Sequence, residues 1–277
     1  MSAKKRKKTS LFNYIVLIII LGFGFVKYIN SELNLFSENI KIEEKNDNIK
    51  PDSYEIPIFN NKTGGQIIVH TGYTLSYNAD YKTPQWVGWH LTDKKTKGKH
   101  GRTDKFVPDP EIIGAKAYTS DYSRTGYDRG HMAPAADMKW NKKAMEESFY
   151  LSNICPQNPN LNRGDWNDLE ELTRKWANTY KDVYITCGPI YDSKFPKRIG
   201  NNKVAIPDAF YKVIFINDSK NPKTIGFIFN NKSGSRPIIE YVVTVDSIEK
   251  RTGIDFFPAL PDNIENKLEA EIHTTLP

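Results

Sequence analysis

The chain has 277 residues, of which 39% are hydrophobic and 12% aromatic, enough to fill the core of one large domain or two small ones. This composition excludes a largely disordered protein. The net charge of +6 does not establish a nucleic-acid-binding surface, because residues 1 to 27 hold six cations and no acids. The remaining 33 Lys and Arg are matched by 33 Asp and Glu, so attraction for a polyanion depends on local clusters of charge.

The N-terminus contains a basic stretch, KKRKK, followed by an uncharged apolar run over residues 9 to 26. As a helix rising ~1.5 Å per residue this run spans ~27 Å, close to the ~30 Å hydrocarbon thickness of a bilayer. It is longer than the usual signal-peptide core of ~7–15 residues. The run therefore favours a retained transmembrane signal anchor within residues 1 to 29, over a cleaved signal peptide or a buried helix. The remainder would lie on the extracytoplasmic side, or be secreted if the segment is cleaved.

Residues 30 to 53 are rich in Asn, Glu, Lys and Ser and are interpreted as a flexible polar linker. A folded domain is expected over residues 54 to 277, where β-branched and aromatic runs are separated by turn residues. The predicted strands cover residues 66 to 77, 85 to 92, 183 to 187, 209 to 216, 224 to 229 and 241 to 245.

Two segments have helical periodicity, residues 142 to 149 and residues 163 to 179. Strands outnumber helices, and they do not alternate regularly with them as βαβ units do. The pattern predicts an α+β domain with a mainly antiparallel central sheet and flanking helices, preceded by the N-terminal transmembrane helix.

Cys155 and Cys187 are the two cysteines of the chain. Export would place them in an oxidising compartment and make one disulfide possible. Their spacing fits no zinc-binding pattern, and two buried free thiols are the open alternative.

The candidate chemistry begins at Asp128-Arg129-Gly130-His131. An imidazole has an unperturbed pKa of about 6.5, which suits proton removal near neutral pH. Arg129 can hold a phosphate, Asp128 can orient a neighbour, and Gly130 permits a sharp turn or a close approach. Alone, this tetrapeptide is more typical of a surface turn.

A second motif lies downstream in LSNICPQNPNLNRGDWNDLEE, residues 151 to 171. Asn162, Trp166 and Glu170 recur every four residues, so one helix would carry them as a single ridge with Asn162 at its N-terminal end. Asn162 followed by Asp165 would also be a good N-terminal cap, which is the structural alternative.

Together these motifs resemble the DNA/RNA non-specific endonuclease family of the ββα-metal (His-Me finger) superfamily, which includes secreted bacterial nucleases and mitochondrial endonuclease G. The resemblance runs from about residue 66 to about residue 260. It rests on Asp-Arg-Gly-His, on Asn153 to Gln157, on Leu161-Asn162, and on Trp166 with Leu169-Glu170. It also includes Arg102, Phe106, Asp109-Pro110, TCGPIYD at 186 to 192, and PDAFYKVI at 207 to 214.

The resemblance implies a ββα-metal fold and a role for each motif residue. His131 would be the general base, and Asn162 the direct protein ligand of Mg²⁺, or of Mn²⁺ in its place. Arg129 and Arg102 would stabilise phosphoryl charge, and Glu170 would act through water on the metal. Asn153 would order the site, while the remaining motif residues would shape it; these are Asp128, Gly130 and Trp166.

The resemblance also implies that DNA and RNA are both cut, leaving 5′-phosphate and 3′-hydroxyl ends. A site that grips metal, phosphate and sugar reads no base edges, which agrees with such breadth. Two other functions stay open: an idle nucleic-acid-binding module at the cell surface, and a phosphoesterase restricted to small nucleotides. A membrane partner is expected through the anchor; the sequence decides neither whether a homodimer forms nor whether an inhibitor protein binds.

Overall fold

The computed structural model of the chain describes residues 53–59, 65–232 and 234–277, which all belong to one structural unit. The predicted anchor, residues 9 to 26, lies outside the described residues, as does the predicted linker apart from Ser53. Within the described part, no helix is both long and apolar enough to cross a membrane.

The structure is built on thirteen strands and six α-helices among the described residues. The strands are β1 (Ile58–Phe59), β2 (Gln66–Val69), β3 (Thr74–Asn78), β4 (Thr83–Thr92), β5 (Asp128–His131), β6 (Ile154–Gln157), β7 (Asp182–Ile190), β8 (Arg198–Ile199), β9 (Val204–Ala205), β10 (Ala209–Ile216), β11 (Lys223–Asn230), β12 (Val242–Val243) and β13 (Ile254–Asp255). The helices are α1 (Asp93–Thr96), α2 (Lys142–Glu147), α3 (Pro159–Arg163), α4 (Asp165–Tyr180), α5 (Val245–Thr252) and α6 (Asp262–Glu269).

Seven strands form a central antiparallel sheet in the order β12-β11-β10-β7-β4-β3-β2. Its strands alternate between two apolar faces, as side chains on a pleated strand must. In β10, Phe210 and Ile214 pack into one core cluster, whereas Tyr211 and Val213 pack into the other. The predicted α+β class with a mainly antiparallel central sheet is confirmed.

Helices cover both faces of this sheet. On one face, Trp166, Leu169 and Trp176 of α4 bury their side chains in the same cluster as Phe210. On the other, Ile248 of α5 and Leu268 of α6 pack in the same cluster as Tyr211 and Val213. The first face also carries β5 and β6, because Met132 and Cys155 belong to the cluster of α4.

Three of the predicted segments are divided differently in the structure, and several others differ only at their ends. Residues 66 to 77 form two paired strands, β2 and β3, joined by a turn that contains Gly72. Only Val242–Val243 of the segment 241 to 245 is a strand, and Val245 begins α5. The predicted helix 163 to 179 is preceded by a separate short helix, α3, and Gly164 with φ −109° and ψ −115° stands between α3 and α4.

Candidate active site

The Asp-Arg-Gly-His segment is a strand, not the surface turn that it resembles in isolation. It forms β5, which pairs antiparallel with β6 so that Gly130 faces Cys155 and His131 faces Ile154. A Cβ atom on Gly130 would lie 2.1 Å from Oε1 of Gln157. Glycine is therefore required here by the buried Gln157 side chain and not by a turn.

His131 ends β5 and is buried, with 8% of its surface exposed. Its ring packs edge-on against Phe149, with 5.0 Å between ring centroids, and against Phe106 at 5.4 Å. Nε2 has no hydrogen-bond partner among the described residues. The Trp166 indole donates to the main-chain oxygen of His131 over 3.2 Å, which fixes the backbone beneath the imidazole.

The electrostatic surroundings keep the His131 imidazole uncharged. Burial lowers its pKa to about 3, and the positive charges of Arg102 and Arg129 act in the same direction. An uncharged imidazole has one ring nitrogen that can accept a proton. This is the protonation state that a general base needs.

Arg129 and Arg102 lie over the two aromatic rings that enclose His131. The Arg129 guanidinium is 4.3 Å from the centroid of Phe106, and that of Arg102 is 5.0 Å from the centroid of Phe149. Both arginines are exposed and line a cleft of about 340 Å³. The described lining is Arg102, Asp104, Phe106, Thr119, Tyr122, Ser123, Tyr127, Asp128, Arg129 and Asn162.

Asn162 lines the same cleft and is held by Asp128. Its Nδ2 donates to Oδ2 of Asp128 over 3.0 Å, while Arg163 donates to both carboxylate oxygens over 2.8 and 2.7 Å. Burial alone would raise the pKa of Asp128, but the hydrogen bonds from Arg163 and Asn162 hold this pKa below its ordinary value. With Nδ2 engaged by Asp128, Oδ1 is the amide atom available for a metal ion or a donor.

The structure places Asn162 in α3, on the other side of Gly164 from Trp166 and Glu170. The predicted single ridge at the start of one helix is therefore wrong, and so is the capping alternative. Gly164 is the N-cap of α4, and Asn158 caps α3 by accepting from the main-chain N–H of Asn160.

Glu170 is half-buried on α4 and does not line the cleft. Burial raises its pKa to about 7, and the charge of Asp137 adds to this, while Lys212, Arg174 and Arg102 oppose it. Because Arg102 influences the pKa of both Glu170 and His131, the glutamate lies within electrostatic reach of the cleft.

Asn153 is fully buried, and its side-chain hydrogen bonds all go to main-chain atoms. Its Oδ1 accepts from the N–H of Ala133 over 2.9 Å, and its Nδ2 donates to the carbonyls of Ala133 at 2.8 Å and Ser148 at 2.9 Å. These bonds anchor the segment that follows His131. The arrangement is that of a residue that orders the site from behind.

Two buried polar residues near Trp89 and Trp166, Lys212 and Asp137, were not singled out by the sequence. Lys212 of β10 is 1% exposed, with Nζ 4.1 Å from the centroid of a Trp166 ring. Asp137 is also buried and accepts from Trp89 and Arg174 over 3.0 Å each. The lysine within the apolar run AFYKVIFI was the available signal, since a buried strand rarely carries an unpaired charge.

Cys155 and Cys187 are both buried free thiols, so the structure has the alternative to the possible disulfide. The Cys187 thiol donates to the main-chain oxygen of Met132 over 3.3 Å. Burial raises the pKa of Cys187 to about 12 and also raises that of Cys155. Neither thiol has the low pKa of a reactive cysteine.

Comparisons with known proteins agree on one family. A model of the DNA/RNA non-specific endonuclease family matches residues 52–263. The mitochondrial nuclease EXOG of Danio rerio is 36% identical over 215 residues, which cover 72% of this chain and 63% of that protein. A nuclease of Serratia marcescens is 36% identical over 220 residues, covering 76% of this chain and 82% of that protein.

A solved structure supports the same relationship. A chain in the crystal structure of an EndoG/EndoGI complex, which concerns the mechanism of EndoG inhibition, matches with a TM-score of 0.68 and 32% identity. The match covers 75% of this chain and 90% of that one. This chain spans about three fifths of the length of the EXOG proteins that it matches.

The predicted localisation, membrane-anchored and extracytoplasmic or secreted, is wrong. The vertebrate EXOG and endonuclease G relatives and a yeast relative are named as mitochondrial nucleases. Among the helices of residues 53–59, 65–232 and 234–277, none could span a bilayer. Because the family model matches well over half of the residues, the chain belongs to the DNA/RNA non-specific endonuclease family.

Proposed function

We propose that residues 54 to 277 form a nuclease domain that hydrolyses phosphodiester bonds within DNA and RNA with the help of Mg²⁺. One observation carries the proposal: an uncharged imidazole packs against Phe106, which lines the same arginine-lined cleft as Asn162. The relatives named as nucleases support the same activity. Water is the nucleophile in this proposal, and His131 removes its proton.

The family implies a divalent metal ion, and the residues present fit one. Asn162 offers a hard, neutral oxygen, and Asp128 holds its amide by the nitrogen, so that Oδ1 is free to coordinate. Mg²⁺ prefers oxygen ligands and keeps several waters, so one protein oxygen suffices as an anchor. Mn²⁺ is the alternative ion. When bound, the ion supplies positive charge that stabilises the charge developing on the phosphate and the leaving oxygen.

The remaining steps belong to side chains of this protein. Arg129 and Arg102 present exposed guanidinium groups to the cleft, where they hold phosphate oxygens and neutralise charge in the transition state. Their own positive charge also keeps His131 unprotonated, and therefore ready to act as a base. Asp128 and Asn153 position Asn162 and the main chain after His131, respectively.

The substrate range follows from what the cleft offers. Phosphate contacts from arginines carry no sequence information, and sugar-independent contacts do not separate DNA from RNA. We therefore propose internal cleavage of both polymers, leaving 5′-phosphate and 3′-hydroxyl ends. The solved relative in complex with EndoGI supports an inhibitor protein as a further partner.

The decisive experiment incubates the full chain with plasmid DNA and with RNA in Mg²⁺. His131→Ala is expected to lower the cleavage rate at least about a hundredfold, the usual contribution of a general base. His100→Ala is the matched control, because His100 is exposed and does not line the cleft. Full activity of the His131 variant, or of the wild type in excess EDTA, would falsify the mechanism.

The same preparation separates the two other functions. An idle binding module would retain nucleic acid in a filter assay without cutting it. A phosphoesterase for small nucleotides would cleave a dinucleotide at least as fast as a long polymer, whereas a nuclease with an open cleft cleaves the polymer faster.

A further inference from the structure

A cluster of carboxylates lies on the face of the sheet opposite the nuclease cleft. Oxygens of Asp246, Glu249 and Glu269 all lie within 4.8 Å of one another. Asp246 and Glu249 belong to α5, and Glu269 is the last residue of α6. Both helices pack in the core cluster of Tyr211, whereas His131 and α4 belong to the other side.

Glu269 shows that this is more than an exposed acidic patch. Its side chain is only 5% exposed, and its Oε1 is buried with no hydrogen-bond partner among the described residues. Oε1 of the neighbouring Glu265 is also buried and unpartnered there. Burying an ionised carboxylate without a partner costs several kcal/mol, a cost that protonation or a bound cation removes.

No cation of the described chain supplies that compensation. The ion pairs of the described residues include none with Asp246, Glu249 or Glu269. The Glu249 carboxylate accepts a hydrogen bond from the main-chain N–H of Phe256, over 2.8 Å. Burial, followed by the charges of Glu249 and Glu265, raises the pKa of Glu269 to about 9.

We propose that Asp246, Glu249 and Glu269 bind one Ca²⁺ ion, which links α5 to α6. Three carboxylates can offer up to six oxygens, and Ca²⁺ takes six to eight oxygens in variable geometry. Mg²⁺ demands a near-ideal octahedron and is usually held by one or two carboxylates with several waters. A site with oxygen ligands alone also disfavours zinc and copper, which prefer nitrogen or sulfur.

The ion has a structural role in this arrangement. α6 lies near the C-terminus and is fixed to the sheet by buried Leu268, whose carbonyl accepts from Thr224 over 2.7 Å. Glu265 and Glu269 stand four residues apart on α6, a spacing at which like charges destabilise a helix. Ca²⁺ removes that repulsion and attaches the end of α6 to α5. The inference does not depend on the proposed nuclease activity.

The test measures calcium binding and thermal stability on the full chain, freed of metal by EDTA and dialysed at neutral pH. We expect one Ca²⁺ per chain by isothermal titration calorimetry at this site, with a Kd of about 100 µM. Raising Ca²⁺ well above that Kd should raise the Tm by about 5 °C, since ligand binding stabilises the folded state. No rise in Tm would overturn the proposal.

Isosteric variants locate the ion. Glu269→Gln and, independently, Asp246→Asn should weaken Ca²⁺ binding at least tenfold and abolish the rise in Tm. Glu240→Gln, at an exposed glutamate outside the cluster, should behave as wild type. Unchanged affinity in both cluster variants would show that the ion binds elsewhere and would overturn the proposal.

A last variant separates this site from the nuclease cleft. Asn162→Ala removes the proposed ligand in the cleft and should retain the full Ca²⁺-dependent rise in Tm. Loss of the rise in that variant would place the calcium in the cleft and contradict the assignment to α5 and α6.

Discussion

The amide of Asn162 is oriented by the Asp128 carboxylate, which in turn accepts two hydrogen bonds from Arg163. Asp128→Ala leaves this amide free to rotate away from the proposed metal site. We expect the Mg²⁺ concentration for half-maximal plasmid cleavage to rise about 10- to 100-fold, as for other residues that orient metal ligands. Arg163→Met keeps the hydrogen bond between Asp128 and Asn162, so it should change the half-maximal Mg²⁺ concentration much less. Equal shifts in both variants would show that charge around Asp128 matters, and not the orientation of the amide.

His131 should remain uncharged far below the pH at which an ordinary imidazole takes up a proton. Its folded pKa of about 3 lies below the 6.5 of an unfolded chain, so the folded state binds fewer protons between these values. The contribution to stability is therefore complete above pH 6.5 and is lost as the pH falls toward 3. NMR titration of metal-free protein should show no His131 protonation down to about pH 5.

Arg102→Gln should raise the pKa of His131, because it removes a positive charge that opposes protonation. Arg124→Gln is the control, since Arg124 is exposed and is not among the charges that lower this pKa. If the His131 titration midpoint measured by NMR is the same in Arg102→Gln and in the wild type, burial alone sets the pKa of His131.

Among the elements, the turn after β5 depends on Asn153. Asn153→Ala leaves the N–H of Ala133 and the carbonyls of Ala133 and Ser148 without this partner in a buried place. We expect the free energy of unfolding to fall by about 3 kcal/mol, measured by urea denaturation. Asn230→Ala, at an exposed strand end, should change it by less than about 0.5 kcal/mol. A stable variant with lost activity would instead indicate a direct role in catalysis.

Strands with clear alternation were predictable from the sequence, and β10 begins and ends at the predicted residues. The helix around Trp166 was only partly predictable. The four-residue spacing of Asn162, Trp166 and Glu170 continues through Gly164, where the backbone leaves the helical conformation. Sequence periodicity does not reveal a break between two consecutive helices.

Motif residues of the site were identified because their order along the sequence resembles that of a known family. Phe106, Phe149 and Lys212 were not assigned roles, because they meet His131 and Trp166 only through long-range packing. The low pKa of His131 was likewise unpredictable, since its largest cause is burial in the folded chain.

On the scale of the whole molecule, the two faces of the sheet differ in charge. Residues 28 to 277 carry equal numbers of acidic and basic side chains, so attraction for nucleic acid depends on their distribution. Arg102 and Arg129 line the cleft on the side of α4, while Asp246, Glu249 and Glu269 lie on the side of α5 and α6. Attraction for a polyanion is therefore expected to be local, at the two arginines of the cleft.

The antiparallel pair of β5 and β6, called the hairpin below although residues 132 to 153 separate its strands, is joined to the central sheet by packing and not by a disulfide. Cys155 lies in β6 and Cys187 in β7, and both are free thiols in the core that the hairpin shares with α4. We expect a thiol assay in denaturant, without prior reduction, to count two free thiols per chain, and reductant to change the Tm by less than about 1 °C. Cys187→Ser should be tolerated better than Cys187→Ala, because a hydroxyl can still donate to the Met132 carbonyl. A disulfide would instead give no free thiols, and its loss on reduction would cost about 3–4 kcal/mol by loop entropy.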